Sequence, residues 1–141
     1  MPDMDIILAK TGNIQRCLRR IKETTGLKSE SLNDIDKQDI FVLNLQRAIE
    51  AAVDIAAHIA ASEGLGLASA IKDNFRFLYE AGIIDENLLK KMQSMVGFRN
   101  IAVHDYQSIN VDILKSILTE NLKDLEDFYT AVLRRFSLGQ K

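Results

Sequence analysis

Apolar residues recur at spacings of three and four along almost the whole chain, and this pattern constrains the fold more than any other feature. The longest example comprises Phe41, Leu45, Ala48, Ala52, Ile55 and Ile59. Such spacing places all of these side chains on one face of a helix. The only proline is Pro2, so no proline ring interrupts a later helix. No segment shows sustained strand-like alternation, and the pattern therefore predicts an all-α protein.

Five helical segments are predicted, at about residues 3–25, 34–62, 69–81, 85–103 and 108–136. Gly26 is a natural stop for the first helix, and Asp34 or Asp36 would cap the second. We expect Ile71 to point inward from the third segment and Ile113 from the fifth. Long amphipathic helices with short links favour an up-and-down bundle of four or five helices. Residues 1–141 are expected to form a single domain.

The charge balance gives no global support for nucleic-acid binding. The chain has 141 residues, 47% of them hydrophobic, and 18 basic against 20 acidic residues give a formal net charge of −2. Contact with RNA would therefore need a local basic patch. The densest basic cluster contains Arg16, Arg19, Arg20 and Lys22. This cluster could guide RNA, although charge runs on helices are usually solvated.

Several classes of site and location are disfavoured by residue counts. Cys17 is the only cysteine, so an intrachain disulfide and a cysteine-based zinc site are excluded; we expect it to be a small core residue. Two histidines leave no histidine-rich metal site, and no metal or cofactor is expected. The start of the chain lacks the basic region of a signal peptide, and no apolar run reaches membrane-spanning length. A cytoplasmic protein without membrane contact is the simplest expectation.

The segment from Phe98 to Tyr106 carries the residues best suited to chemistry. Arg99, Asn100, His104 and Tyr106 lie within eight positions. A histidine with an ordinary pKa of about 6.5 can move protons near neutral pH. An arginine fork holds two phosphate oxygens and can stabilise charge that develops at phosphorus. RNA supplies its own nucleophile, the 2′-hydroxyl, so this pair fits metal-independent RNA cleavage; the alternative is a structural pair that holds a helix end.

Helical geometry complicates a site built within one chain. Five residues separate Arg99 from His104, which corresponds to roughly 140° around one continuous helix. Asn100 and His104, four apart, would share a face. Either the helix ends before His104, or Arg99 and His104 converge from two chains. The reaction also needs both a base and an acid, so we expect an obligate two-fold homodimer with one composite cleft.

The pattern Arg99-Asn100-x3-His104-x-Tyr106 resembles the HEPN family, and most closely its HepT-like branch (the DUF86-type proteins). Asn44 and Arg47 on the second helix extend the resemblance. It implies a dimeric helical bundle that acts as the endoribonuclease toxin of a type II (type VII-like) toxin–antitoxin system. It further implies Arg99 and His104 as catalytic residues, with support from Asn100 and Arg47. A minimal nucleotidyltransferase antitoxin would silence the toxin by transferring AMP to Tyr106.

Other interpretations stay open at this point. The chain could be a non-catalytic HEPN module that binds a nucleotide or scaffolds the transferase, or a plain helical adaptor. Asn100 could be a helix cap, and Tyr106 a half-buried interface residue. Asn44, Arg47, Asp54 and His58 could form a phosphate-binding row, but a solvated face with ion pairs is the default. The sequence does not indicate which RNA would be cut.

Overall fold

The computed structural model describes residues 2–136, and this part of the chain is helical without a strand. The helices are α1 (Met4–Thr25), α2 (Ile35–Ser62), α3 (Ile71–Glu80), α4 (Glu86–His104), α5 (Val111–Ser116) and α6 (Leu122–Phe136). Short 3-10 segments occupy Ser29–Asn33 and Tyr106–Ser108. A π-helical turn at Ile117–Asn121 joins α5 to α6 without a break. The predicted all-α bundle of five helical rods is confirmed.

Aspartates begin three of the helices and a glycine ends the first. The Asp34 carboxylate accepts hydrogen bonds from the backbone amides of Asp36 and Lys37, which satisfies donors left open at the start of α2. Asp3 and Asp85 cap α1 and α4 in the same way. Gly26 closes α1 with a φ of 61°, a left-handed conformation that favours glycine. The helix boundaries expected at Gly26 and Asp34 are therefore where the structure has them.

Helix α2 is the central element of the bundle. Its six stripe residues are fully buried: Phe41, Leu45, Ala48, Ala52, Ile55 and Ile59. Helix α1 lies antiparallel to it, since Lys10 pairs with Asp54 and the backbone amide of Asp3 donates to His58 farther along α2. Phe75 of α3 and Phe128 of α6 meet edge to face, with ring centroids 5.4 Å apart. This core holds α4 beside α2 and so positions the motif at its end.

Three local expectations were wrong. Ile71 is 36% exposed because it is the first residue of α3, a full turn before Phe75 enters the core. Ile113 is 53% exposed, while its neighbour Leu114 is buried. Leu114 lies four residues before the buried Leu118, which places both on one helix face, whereas Ile113 is five residues from Leu118 and roughly 140° around the axis. The loop predicted before α2 forms a 3-10 turn that buries Leu32.

Candidate active site

Helix α4 runs unbroken through the motif and ends at His104. Asp105 then leaves the helical conformation, with φ −154° and ψ 65°, and Tyr106 begins the 3-10 turn. Arg99 and His104 consequently lie on one helix, roughly 140° apart around its axis. The first of the two expected arrangements, a helix that ends before His104, is therefore wrong. Within one chain, the two side chains do not point to a common position.

The Arg99 side chain lies against α2 and is 24% exposed. One guanidinium nitrogen, Nη1, donates to Asn100 Oδ1 at 3.1 Å. Another, Nε, lies 3.9 Å from Glu50 Oε1, which also accepts a hydrogen bond from Gln46 at 3.0 Å. Asn100 is four residues inside the helix, so it is not the C-terminal cap. These contacts orient the guanidinium while leaving several of its N–H groups available for a phosphate.

His104 is exposed, and it makes no hydrogen bond or ion pair with any residue from 2 to 136. An imidazole without partners is available to a substrate or to a second chain. Two apolar residues near it in the chain are also exposed: Ile101, one turn earlier on the same side of α4, is 50% exposed, and Val103 is 44% exposed. Apolar exposure beside an unpartnered histidine is typical of a surface that another molecule covers.

Tyr106 contacts a residue that the sequence did not indicate. Its hydroxyl donates a hydrogen bond to the carboxylate of Asp39 near the start of α2. Burial raises the pKa of Tyr106 above its ordinary value, and the hydrogen bond to Asp39 and the Asp39 charge raise it further. The two residues are 67 positions apart, so no local pattern could reveal the pair. The hydroxyl is thereby held beside a proton acceptor at the exposed end of the motif.

The row proposed on α2 separates into three structural residues and one unpartnered one. Asn44 is 8% exposed, and its amide donates to the Ile40 carbonyl at 2.9 Å. Asp54 pairs with Lys10 at 2.9 Å, and His58 accepts from the backbone of Asp3 at 2.9 Å. These contacts account for Asn44, Asp54 and His58 without any ligand. Arg47 is exposed and pairs with no carboxylate among residues 2–136.

Arg47 borders an open cavity of about 660 Å³ between α1 and α2. Arg16 and Arg20 of α1 line its other side, and Glu50, the neighbour of Arg99, is also part of the lining. Cys17 is partly exposed to the cavity, so the expectation of a core cysteine holds only in part. The sequence singled out the α1 arginines and Arg47 separately. Their convergence follows from the antiparallel pairing of α1 and α2, which residue spacing alone does not give.

No cluster of three or more His, Cys, Asp or Glu side chains is placed to hold a metal ion within residues 2–136. Over the same range, no helix combines the length and the apolar character that crossing a membrane requires.

Comparison with known proteins identifies the family to which this chain belongs. Residues 14–132, which include the whole motif, match the family described as Ribonuclease HepT-like. The chain belongs to this family. The HepT-like chain is 41% identical over 128 residues to the mRNA nuclease HepT of Shewanella oneidensis. The aligned region covers 91% of this chain and 96% of that protein. The predicted family and its ribonuclease class are confirmed.

Solved structures agree with this placement. The HepT-like chain superposes with a TM-score of 0.85 on the tri-AMPylated HEPN toxin of Shewanella oneidensis in complex with its MNT antitoxin, at 41% identity. A toxin–antitoxin structure with AMP-PNP gives a TM-score of 0.86 at 40% identity. These matches cover 91% of this chain and at least 96% of each solved chain. The similarity therefore extends over the whole bundle and not only the motif.

Proposed function

We propose that this HepT-like chain is the toxin of a toxin–antitoxin pair and cleaves RNA without a metal ion, using Arg99 and His104. The observation that carries the proposal is the motif at the end of α4, where an oriented arginine and an unpartnered, exposed histidine stand in a chain of this family. We expect this activity in the cytoplasm, where RNA is available. Support for the partner comes from the relatives, whose structures are toxin–antitoxin complexes.

The reaction needs only groups that RNA and the motif supply. A base removes the proton from a 2′-hydroxyl, whose oxygen attacks the adjacent phosphorus while the bond to the 5′-oxygen breaks. An acid protonates the leaving 5′-oxygen, which gives a 2′,3′-cyclic phosphate and a 5′-hydroxyl. His104 carries out the proton transfer, and such transfer typically contributes roughly 10²–10⁴-fold in rate. Arg99 stabilises the additional negative charge at phosphorus in the transition state.

A homodimer would bring Arg99 and His104 together and would supply both a base and an acid, neither of which a single chain does. Arg99 of one protomer can approach His104 of its partner across a two-fold axis, although the same residues diverge on one α4. Two copies of His104 then supply the base and the acid. The exposed Ile101, one turn before His104 on the same side of α4, gives this face an apolar side chain suited to an interface. In this arrangement Asn100 supports the site by holding the Arg99 guanidinium, and Arg47 by contacting the RNA backbone beside it.

Tyr106 is the residue at which the antitoxin would silence this toxin. The solved relative is tri-AMPylated, and Tyr106 places a phenol two residues from His104. Its oxygen would attack the α-phosphorus of ATP, pyrophosphate would leave, and the phenolic proton would pass toward the Asp39 carboxylate. Each transferred AMP adds a negatively charged phosphate beside the cleft. The added charge and bulk would repel RNA and exclude it from His104.

The proposal is tested by induced expression of the wild type and of His104→Ala, followed by sequencing of RNA ends. We expect growth arrest and 2′,3′-cyclic phosphate ends in the wild type, and neither in the variant. His58→Ala is a matched control because, within residues 2–136, the hydrogen bond that His58 makes is to the backbone of Asp3, far from the motif in sequence, so it should keep activity. Equal toxicity of wild type and His104→Ala would remove His104 from catalysis. A folded wild type that cuts no RNA would instead favour the non-catalytic, nucleotide-binding scaffold.

A further inference from the structure

The cavity between α1 and α2 has a charge that the rest of the chain lacks. It is lined by four basic residues, Lys10, Arg16, Arg20 and Arg47, and by two acidic ones, Glu50 and Asp54. Its formal charge is thus positive in a chain whose net charge is −2. Local positive charge in a concave site attracts and retains anions more strongly than the same charge spread over a surface.

The carboxylates of the cavity are already engaged, whereas three of its guanidinium groups are not. Asp54 pairs with Lys10 at 2.9 Å, and Glu50 lies 3.9 Å from Arg99. Within residues 2–136, Arg16, Arg20 and Arg47 pair with no carboxylate; Arg16 donates only to the neutral side chain of Asn13. Three arginines on two helices therefore face one space, and no carboxylate among residues 2–136 pairs with any of them.

The spacing of the three arginines and their position beside the motif fit a ligand that carries several linked phosphates. Arg16 and Arg20 are one helical turn apart, about 6 Å along α1, and Arg47 approaches from α2. Arg16 and Arg47 are both close enough to the Cys17 thiol to oppose the rise in its pKa that burial causes. Glu50 lines the cavity and also lies 3.9 Å from Arg99, so the cavity borders the motif. A strand bound by these arginines would continue toward the motif.

We propose that this cavity is a binding subsite for the phosphodiester backbone of single-stranded RNA, in which Arg16, Arg20 and Arg47 each contact phosphate oxygens and so present the strand to Arg99. The inference rests on the proposed ribonuclease function and assigns it a substrate path. Guanidinium groups suit this task because their planar donors match phosphate oxygens and stay charged. Phosphate contacts position a strand without reading its bases, so the subsite acts on binding and not on sequence choice.

The first test measures binding of a fluorescent, single-stranded 2′-O-methyl RNA, which lacks the nucleophile and cannot be cut. Arg16→Gln, Arg20→Gln and Arg47→Gln should each raise Kd about tenfold, as expected for one charged hydrogen-bonded contact. The plot of log affinity against log salt concentration should become shallower by about 0.7 for each lost contact. Arg19→Gln is the matched control, because Arg19 is exposed on the same helix but does not line the cavity.

The second test uses Cys17, the only cysteine of the chain, as a reporter inside the cavity. Alkylation of its thiol by neutral iodoacetamide should slow when the RNA is bound to the wild type or to Arg19→Gln. The protection should be lost in the triple variant Arg16→Gln/Arg20→Gln/Arg47→Gln. Circular dichroism and thermal unfolding confirm that each variant is folded. This readout does not depend on catalysis.

The outcomes separate this inference from the proposed function. If the wild type cleaves RNA but the three cavity variants bind it as Arg19→Gln does, the subsite is refuted and the ribonuclease stands. If the cavity variants keep RNA affinity but lose binding to the purified antitoxin, the cavity belongs to a protein interface and the inference is also refuted. If the wild type neither cuts RNA nor binds the uncleavable strand, both proposals fail. Weaker binding, a shallower salt dependence and lost Cys17 protection together support the subsite.

Discussion

The proposed composite site makes a quantitative prediction for mixtures of wild-type and His104→Ala chains. Because α4 runs unbroken through His104, each chain offers one imidazole, and residues 2–136 supply it with no hydrogen-bonding partner. A cleft that uses one His104 as base and the other as acid works only when both chains are wild type. A chain that acts alone would lose nothing when its neighbour is a mutant.

A composite cleft and independently acting chains predict RNA-cleavage activities that are easy to tell apart. When chains pair at random, the fraction of fully wild-type dimers is the square of the wild-type fraction. With one wild-type chain in ten, the composite site predicts about 1% of full activity, whereas independent chains predict about 10%. Mixed dimers add little, because loss of one positioned proton transfer costs roughly 10²–10⁴-fold in rate.

The assay mixes the two proteins in denaturant, refolds them together at constant total concentration and measures cleavage of a fluorophore–quencher RNA. Dilution with Arg134→Ala chains controls for refolding losses, since Arg134 is an exposed residue of α6 outside the motif, and activity should then stay constant. A response proportional to the wild-type fraction would refute the two-histidine cleft. It would leave the ribonuclease itself intact and require a different second proton-transfer group.

Three further predictions concern the core and Tyr106. Phe128→Ala should lower the free energy of unfolding by about 3–5 kcal/mol, because Phe128 is fully buried against Phe75; a loss below about 1 kcal/mol in guanidinium denaturation would contradict this packing. Asp39→Asn should lower the pKa of Tyr106, since it removes the carboxylate that holds the proton on the phenol; an alkaline absorbance titration with an unchanged midpoint would contradict it. Because the pKa of Tyr106 is raised, the folded state keeps a proton that the unfolded state loses above pH ~10. The free energy of unfolding of the wild type should therefore fall as the pH rises above that value, and it should fall less steeply in Asp39→Asn. Tyr106→Phe should keep RNA cleavage but accept no AMP from the antitoxin, which intact-mass spectrometry measures directly; AMP found on the variant would exclude Tyr106 as the sole acceptor.

Features encoded within a few residues were predictable from the sequence. Gly26 and Asp34 fix helix ends through contacts with their own neighbours, and the α2 stripe from Phe41 to Ile59 is a property of one helix. The choice of Ile113 was wrong because it lies five residues before the buried Leu118, whereas Leu114, four residues before Leu118, shares the buried face. Which of two adjacent apolar residues is buried thus depends on a single step of the helical spacing.

The candidate active site likewise combines residues that are close in sequence with contacts that only the folded structure provides. Arg99, Asn100, His104 and Tyr106 lie close together along the chain, so their chemistry could be inferred from the residues alone. Partners for two of them come from α2: Glu50 contacts Arg99, and the Asp39 carboxylate accepts a hydrogen bond from the Tyr106 hydroxyl. These contacts depend on how α4 packs beside α2, which only the folded bundle determines. The sequence thus identifies the reacting groups, and the tertiary structure identifies what holds them.

The acidic composition and the proposed RNA substrate are compatible because the relevant charge is local. The cavity lining has a formal charge of +2, which leaves −4 on the remainder of a chain whose total is −2. A negative remainder repels RNA from most of the surface, so under the proposal strands bind where Arg16, Arg20 and Arg47 pair with no carboxylate among residues 2–136. Only a few phosphates can then contribute to affinity, and the salt dependence of binding should be shallow compared with that of a protein that is basic overall. The small number of contacts also explains how AMP groups beside Tyr106 could silence the enzyme, since a few added negative charges are comparable to the positive charge that attracts the substrate.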